Sequence, residues 1–421
     1  ESGSQREMTG NGGRDCGERN TGFFLGLEKV RQKGAYLRKI RDGRGEVCTE
    51  TVEVMAAVQS FYERLFRKQG RCGRDLERAM ASMSKVISRE GREDCDRDLS
   101  LLEVEGEIGR LKANKSPGVD GLPAEFYQAY KRQVSPILLE VFRGMERLQQ
   151  LPPAFAKGVI TLIYKNKGER ERLENYRPIS LLNTDYKILA RILATRLQAV
   201  AGEVVSKSQT YSIPGRSIAD SILTVRSILS KMTGEGGILL SIDLEKAFDR
   251  VEHGFLQAVL GKCGLGERFR AWVDLLYRDA TSCVKCNGML TDSFRLERSV
   301  RQGCPLSPLL YALAAEPLAA MIEQDGKIVG IQTPRGRQVK LVQFADDISI
   351  MVKDSSSVER VVEILKIYEG ASGAKVNMEK SEIRFCGPGG GGTGGQAAET
   401  YASRRMGGVP IGGRDDGGGV F

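Results

Sequence analysis

The chain has 421 residues, 41% of them hydrophobic, enough to bury at least one large core and, by length, to form two or three domains. It carries 63 Lys and Arg against 54 Asp and Glu, a net charge of +9 that favours an anionic partner, nucleic acid first. No run of about 18 uncharged apolar residues predicts a membrane span or a secretory leader; nine scattered cysteines suit a reducing compartment, and the single histidine, His253, gives hydrolase or zinc chemistry little to build on.

Residues 1–20, Gly-rich and charged, read as disordered. Residues 21–105 read as a helical, charged N-terminal extension or linker, with Val52, Val54, Met55, Val58, Phe61, Tyr62 and Leu65 on one helix face. Seven basic residues against one acidic lie between Lys29 and Arg44. A β-rich run predicts a strand over 159–164, and spacings of three and four from Ile188 to Val200 predict a helix over 185–200 with Thr184 as its N-cap. A short apolar run over 238–242 predicts a buried strand. Alternation predicts hairpin arms over 283–287 and 293–297 with an Asn287-Gly288 turn, so Cys283 and Cys286 read as strand residues rather than half of a zinc site. A second hairpin is predicted over 339–344 and 348–352, with Ala345-Asp346-Asp347 at its tip. A helix over 356–368 follows, opened by a Ser356/Glu359 capping box. Strands separated by helices, with hairpins, predict an α+β fold whose sheet is mostly antiparallel and packed on helices. From Gly387 to Phe421, fourteen of thirty-five residues are glycine, which reads as a low-complexity tail unable to pack a core.

Two carboxylate clusters sit where a core resists them. Leu239-Leu240-Ser241-Ile242 leads into Asp243, and Leu341-Val342-Gln343-Phe344-Ala345 leads into Asp346-Asp347. An acid ending an apolar strand costs several kcal/mol unless it is solvated, paired or bound to a cation. Adjacent acids with a third beside them make sense when divalent cations neutralise them. Mg²⁺ prefers oxygen ligands and commonly takes one or two carboxylates plus substrate phosphates; two such ions about 3.5–4 Å apart serve in-line phosphoryl displacement. Each cluster alone also has an ordinary reading, a turn former or a helix cap, and the residues around them decide between the two.

Asp243-x4-Phe248-Asp249, then Arg301-Gln302-Gly303-Cys304-Pro305-Leu306-Ser307-Pro308, then Phe344-Ala345-Asp346-Asp347 closely resemble, in order and spacing, the motif series of LINE-type (non-LTR) retrotransposon reverse transcriptases. Ser116-Pro117-Gly118-Val119-Asp120-Gly121, Leu162-Ile163-Tyr164-Lys165 and Asn175-Tyr176-Arg177-Pro178 look like that family's upstream and fingers segments. Ser372-Gly373-Ala374-Lys375-Val376-Asn377 with Lys380-Ser381 resembles its next palm segment, so the likeness covers roughly residues 100–385. Thr210-Tyr211-Ser212-Ile213-Pro214-Gly215 departs from the family's Gly-Phe pair but keeps an aromatic and the Pro-Gly turn.

The resemblance implies a right-hand polymerase, with fingers and part of the palm over 106–235, the palm with its catalytic motifs over 236–386, and a degenerate tail over 387–421 where the thumb is missing or degenerate. It implies an RNA-directed DNA polymerase that adds dNTPs to a DNA primer or target on an RNA template, with two Mg²⁺ (or Mn²⁺) held by Asp243, Asp346 and Asp347. Lys165 and Arg177 would grip the triphosphate, and Gln302 and Gly303 would line the nucleotide and template pocket. Phe248 would press on C2′ and exclude a 2′-OH; Lys380, with Lys375 competing, would protonate the pyrophosphate. Glu245, Lys246 and Asp249 read as structural. Such a protein would work as a ribonucleoprotein in nucleus and cytoplasm, with no membrane partner. Three alternatives stand beside it. An RNA-dependent RNA polymerase is opposed by Phe248, a maturase-like RNA-binding protein by the intact acid trio, and the last is a catalytically inactive relic.

Overall fold

The structure, a computed structural model, describes residues 36–70, 72–333, 336–387 and 402–406; the stretch expected to be disordered and most of the Gly-rich tail lie outside them. The chain divides into two compact units, one of Glu1–Phe61, Thr161–Pro178 and Val284–Asp292, the other of Tyr62–Ile160, Ile179–Cys283 and Ser293–Phe421.

Among the described residues, the smaller unit has a strand pair within the stretch expected to be helical: Ile40–Arg41 runs antiparallel to Val47–Cys48. Asp42 shapes the turn between them, its Oδ1 accepting from the N–H groups of Arg44 (2.8 Å) and Glu46 (2.9 Å). This hairpin is tied to the loop over 165–175: Arg41 N–H donates to Glu171 O at 2.8 Å, and Lys39 and Arg41 both pair with the Glu171 carboxylate. It is also tied to the Asn287-Gly288 turn, where the Asn287 side chain exchanges hydrogen bonds with the Leu37 backbone at 2.8 and 3.0 Å. Asn287 and Gly288 both have positive φ, 52° and 85°, as a two-residue hairpin of this hand requires.

The larger unit is built on a five-stranded antiparallel sheet in the order Leu341–Phe344, Asp347–Val352, Gly237–Ile242, Glu382–Cys386, Ala402–Arg405. The last strand falls inside the stretch expected to be an unpacked tail, and Met406 beyond it is buried. The near-continuous apolar run of Gly237–Ile242 follows from burial on both faces. Leu240, Ile242, Ile348, Ile350 and Ile383 join the main core with the helices Thr184–Val204, Ser307–Gln324 and Ser355–Ser372. On the other face Leu239, Met351 and Val342 pack on Ile228 and Met232 of the helix Ile218–Glu235.

The charged segment expected as an extension is, from Tyr62 on, part of this unit. Ala79, Met83, Ile87, Cys95, Leu99, Val104 and Ile108 lie in its main core. Buried Arg196, on the helix Thr184–Val204, donates to the carbonyls of Cys95, Arg97 and Asp98 and to the Glu103 carboxylate. Two caps differ from expectation. Asn183 precedes the helix Thr184–Val204, while Thr184 Oγ1 donates to Leu122 O at 2.8 Å. Asp354, not Ser356, caps Ser355–Ser372 by accepting from Ser357 N–H at 2.8 Å; a carboxylate is the stronger acceptor, and Ser356 Oγ donates to it instead.

Candidate active site

Asp243 directly follows the strand Gly237–Ile242, and Asp347 opens the strand Asp347–Val352. The register that pairs Ile242 with Ile348 sets Asp243 across from Asp347 one step further on. Residues opposite each other in an antiparallel pair share a face, with Cβ atoms about 4.5–5.5 Å apart. On that face the apolar cover of Leu239, Met351 and Val342 gives way to Ser241 and Ser349 and then to the two aspartates, none of which is buried. Asp346 lies in the two-residue turn Ala345-Asp346, closed by the pairing of Phe344 with Asp347. Burial pushes the Tyr311 phenol well above its ordinary range, and the charges of Tyr368, Asp346 and Asp347 add to this; burial likewise raises Tyr211, where Asp346 adds its charge.

The backbone around the carboxylates is held from three sides. Asp243 N–H donates to Ser381 Oγ (3.1 Å), and Asp243 O accepts from Asn377 N–H (2.8 Å). Ala345 sits at φ 55°, a strained place for a residue with a Cβ. Its N–H donates to Gln209 Oε1 (3.2 Å) and its carbonyl accepts from Gln209 Nε2 (3.5 Å), so one buried side chain grips both polar groups of the turn residue. Sequence reading missed Gln209, whose only signal is its place just before the Tyr211-to-Gly215 segment.

Among the described residues no three His, Cys, Asp or Glu side chains are gathered closely enough to hold a metal ion by themselves. The donor set nevertheless suits Mg²⁺, which takes one or two carboxylates and completes an octahedron with phosphate oxygens and water. Opposed aspartates on an uncovered, polar end of a sheet offer that kind of partial cage.

Phe248 lies in the single turn Ala247–Arg250 after Asp243. It stacks on Tyr311 with ring centroids 4.2 Å apart and meets Tyr211 edge-on at 6.4 Å. Its carbonyl accepts from Val300 N–H at 2.9 Å, which brings the segment carrying Gln302 and Gly303 alongside. Gln302 Nε2 donates to both oxygens of buried Asp249, at 3.0 and 3.2 Å. Gly303 has φ 107°, and a Cβ there would stand 2.6 Å from Ser180 O, so the close approach this glycine permits is to the chain's own strand.

Lys380 is exposed, with its N–H bonded to Asn377. Its competitor Lys375 forms an ion pair with Glu245 at 3.1 Å, which Arg250 also joins at 3.0 Å. Lys165 and Arg177 belong to the smaller unit. There the rings of Tyr164 and Tyr176 meet at 5.4 Å, so alternation puts Lys165 and Arg177 together on the opposite side. Arg177 is exposed, and Lys165 Nζ donates to Glu174 O at 3.2 Å.

Comparison with known proteins adds a family. Residues 163–402 match the model described as reverse transcriptase (RNA-dependent DNA polymerase). The chain is 33% identical over 366 residues to the "Transposon TX1 uncharacterized 149 kDa protein" of Xenopus laevis, covering 86% of this chain and 28% of that protein. It is 26% identical over 268 residues to the "Retrovirus-related Pol polyprotein from type-1 retrotransposable element R2" of Popillia japonica, covering 63% and 36%. It is 29% identical over 253 residues to the "Probable RNA-directed DNA polymerase from transposon X-element" of Drosophila melanogaster, covering 59% and 26%. The chain thus spans 26–36% of the length of these three relatives.

Proposed function

The chain belongs to the reverse transcriptase (RNA-dependent DNA polymerase) family, in the LINE-type branch of non-LTR retrotransposons, and from that premise we propose that it adds deoxynucleotides to a primer 3′-hydroxyl on an RNA template by two-metal nucleotidyl transfer. The observation that carries this reading is the register that opposes Asp243 to Asp347 beside the Asp346 turn, on the uncovered end of the sheet. Asp243, Asp346 and Asp347 are the residues that would hold two Mg²⁺, which when bound stabilise the attacking and leaving oxygens of the displacement. The primer hydroxyl attacks the α-phosphorus, the bond to the β-phosphate oxygen breaks, and pyrophosphate leaves. Phe248, stacked on Tyr311, presses on the sugar at C2′. Gln302 and Gly303 line the nucleotide and template pocket, and exposed Arg177 with Lys165 grips the triphosphate. Lys380 stands free of the ion pair that engages Lys375 and is the better donor of a proton to pyrophosphate. The whole protein's RNA template, DNA target and nuclear and cytoplasmic residence follow from the same reading.

Primer extension with Mg²⁺, offering dNTPs or NTPs, tests it. The unmodified chain is expected to extend with dNTPs, and Asp243→Asn or Asp347→Asn to lose about 100-fold or more, the scale of losing transition-state charge stabilisation. Preference for NTPs would point to an RNA polymerase. RNA binding without any extension would point to a maturase-like protein or a relic.

A further inference from the structure

We propose that Glu316 is a positioning residue: its buried carboxylate anchors Ser206 and so fixes the turn over 206–209, from which Gln209 reaches out to hold the Ala345-Asp346 turn. The proposal rests on the polymerase reading above and gives a task to a buried charge that lies outside the motif series.

Glu316 stands on the helix Ser307–Gln324, fifteen of whose eighteen residues are buried, and is itself 4% exposed. A carboxyl group in such a place is costly unless its oxygens are hydrogen-bonded. Here one residue takes both: Glu316 Oε2 accepts from Ser206 N–H at 2.7 Å and Oε1 from Ser206 Oγ at 2.5 Å. Lys85 Nζ donates to the same Ser206 Oγ at 3.1 Å and lies 3.8 Å from Glu316 Oε1. A carboxylate, with two accepting oxygens and no donor, suits a residue that presents an N–H and an O–H on one side.

From Ser206 the chain turns at once toward the carboxylates. Gln209 N–H donates to Ser206 O at 3.1 Å, and Arg216 Nη1 donates to Ser206 O (2.5 Å) and Gln209 O (2.7 Å), so both ends of the turn are tied together. The turn lies along the edge strand Leu341–Phe344: Gln343 N–H donates to Ser208 O at 2.8 Å, and Gln343 O accepts from Thr210 N–H at 3.1 Å. These backbone bonds join the turn to the very strand whose end it supports. Glu316 joins it to a second element, the buried helix, and so sets where turn and strand stand against the core. Gln209, 1% exposed, passes that setting to Ala345 through the two hydrogen bonds of its carboxamide.

The test is single-nucleotide addition of dNTPs with Mg²⁺, with melting curves for every variant. Glu316→Ala is expected to lower kcat by about tenfold while KM stays within about twofold, because the carboxylates shift and the nucleotide pocket does not. Glu316→Ala/Gln209→Ala should lose no more than either change alone, since the two side chains act in one line of contacts. Glu316→Gln keeps an acceptor for Ser206 N–H and should retain most of the activity. If Glu316→Ala fails to fold, Ser206→Ala, which removes the Oγ bonds and nothing else, carries the same comparisons with a loss of about threefold. Losses that multiply in the double variant, or a KM that rises as far as kcat falls, would overturn the proposal. Amide exchange followed by NMR reads the link without turnover: Ala345 N–H should exchange about tenfold faster in the Glu316 or Ser206 variant, with Leu240 N–H unchanged. An unaltered rate at Ala345, or the same acceleration at both amides, sinks the inference whether or not the chain polymerises. Absence of extension by the unmodified chain counts against the polymerase reading alone.

Discussion

The half-buried ring of Phe248 is packed against Tyr311 on one side while part of its surface stays open. A core aromatic and a sugar gate predict different results for its truncation. Because the ring is only partly buried, Phe248→Val should cost about 1–2 kcal/mol, less than the ~3–5 kcal/mol of a fully buried aromatic. As the gate, the same change should raise ribonucleotide use relative to deoxynucleotides by about tenfold or more, read by single-nucleotide addition at several NTP concentrations. A folded variant with an unchanged ratio removes the gate and leaves the carboxylates untouched. A second residue gives a pH signature. Burial, with Asp120 adding its charge, raises the Asp185 pKa to about 6, against an unfolded value of about 3.9. Between those values the folded chain binds the proton more tightly, so this group lowers stability as pH rises from about 4 to about 6. Asp185→Asn should stabilise the protein by about 1–2 kcal/mol at pH 7.5 and change little at pH 4, measured by urea unfolding. The figure lies below the full ~1.4 kcal/mol per pKa unit because the group is partly exposed.

At the scale of elements, the turn that carries Asp346 depends on a contact from distant sequence. Ala345 is held at positive φ by Gln209, 136 residues away. Gln209→Ala should lower kcat for dNTP addition by about tenfold while KM moves little, because it displaces carboxylates rather than the nucleotide pocket. Ala345→Gly, which removes the Cβ penalty of about 1 kcal/mol, should restore part of that loss. If the double variant is no better than Gln209→Ala, the turn is not what Gln209 supports. This contrast marks what sequence makes legible. The strands ending in Asp243 and preceding Asp346 stand out because apolar runs stop abruptly at acids, and the Asn287-Gly288 turn because its φ values need those residues. The strand pair Ile40–Arg41 and Val47–Cys48 is two residues long on each side, too short for any period. The Gln209 grip and the Asp249–Gln302 pair are single side-chain contacts made by tertiary structure, with no local pattern to announce them. The cap at Asp354 was displaced to Ser356 because Asp and Ser serve the same role and stand two residues apart.

For the whole molecule, the described residues before residue 106 fall into two structural parts, and truncation should separate them. A chain beginning at Gly106 loses Ala79, Met83, Ile87, Cys95, Leu99 and Val104 from the main core, and leaves the buried Arg196 guanidinium without the carbonyls of Cys95, Arg97 and Asp98 and the Glu103 carboxylate. Large buried side chains contribute about 1.5–3 kcal/mol each, and a buried charge stripped of its partners costs a further ~3–5 kcal/mol. Set against a typical total of about 5–15 kcal/mol, this chain should not fold, and circular dichroism should show no cooperative urea transition. A chain beginning at Glu50 keeps every one of those residues and should unfold as cooperatively as the full chain. Among the described residues it loses the hairpin that ties Lys39 and Arg41 to Glu171, and Leu37 to Asn287. The loop over 165–175 should then open more often, with amide exchange there about tenfold faster by mass spectrometry. Lys165 lies at the base of that loop, its N–H donating to Asn175 O at 2.9 Å, so the KM for dNTPs should rise more than kcat falls. Unchanged exchange over 165–175 in the shortened chain would mean that the loop holds its shape without the hairpin, and the phosphate-gripping role of Lys165 would then owe nothing to the N-terminal strands.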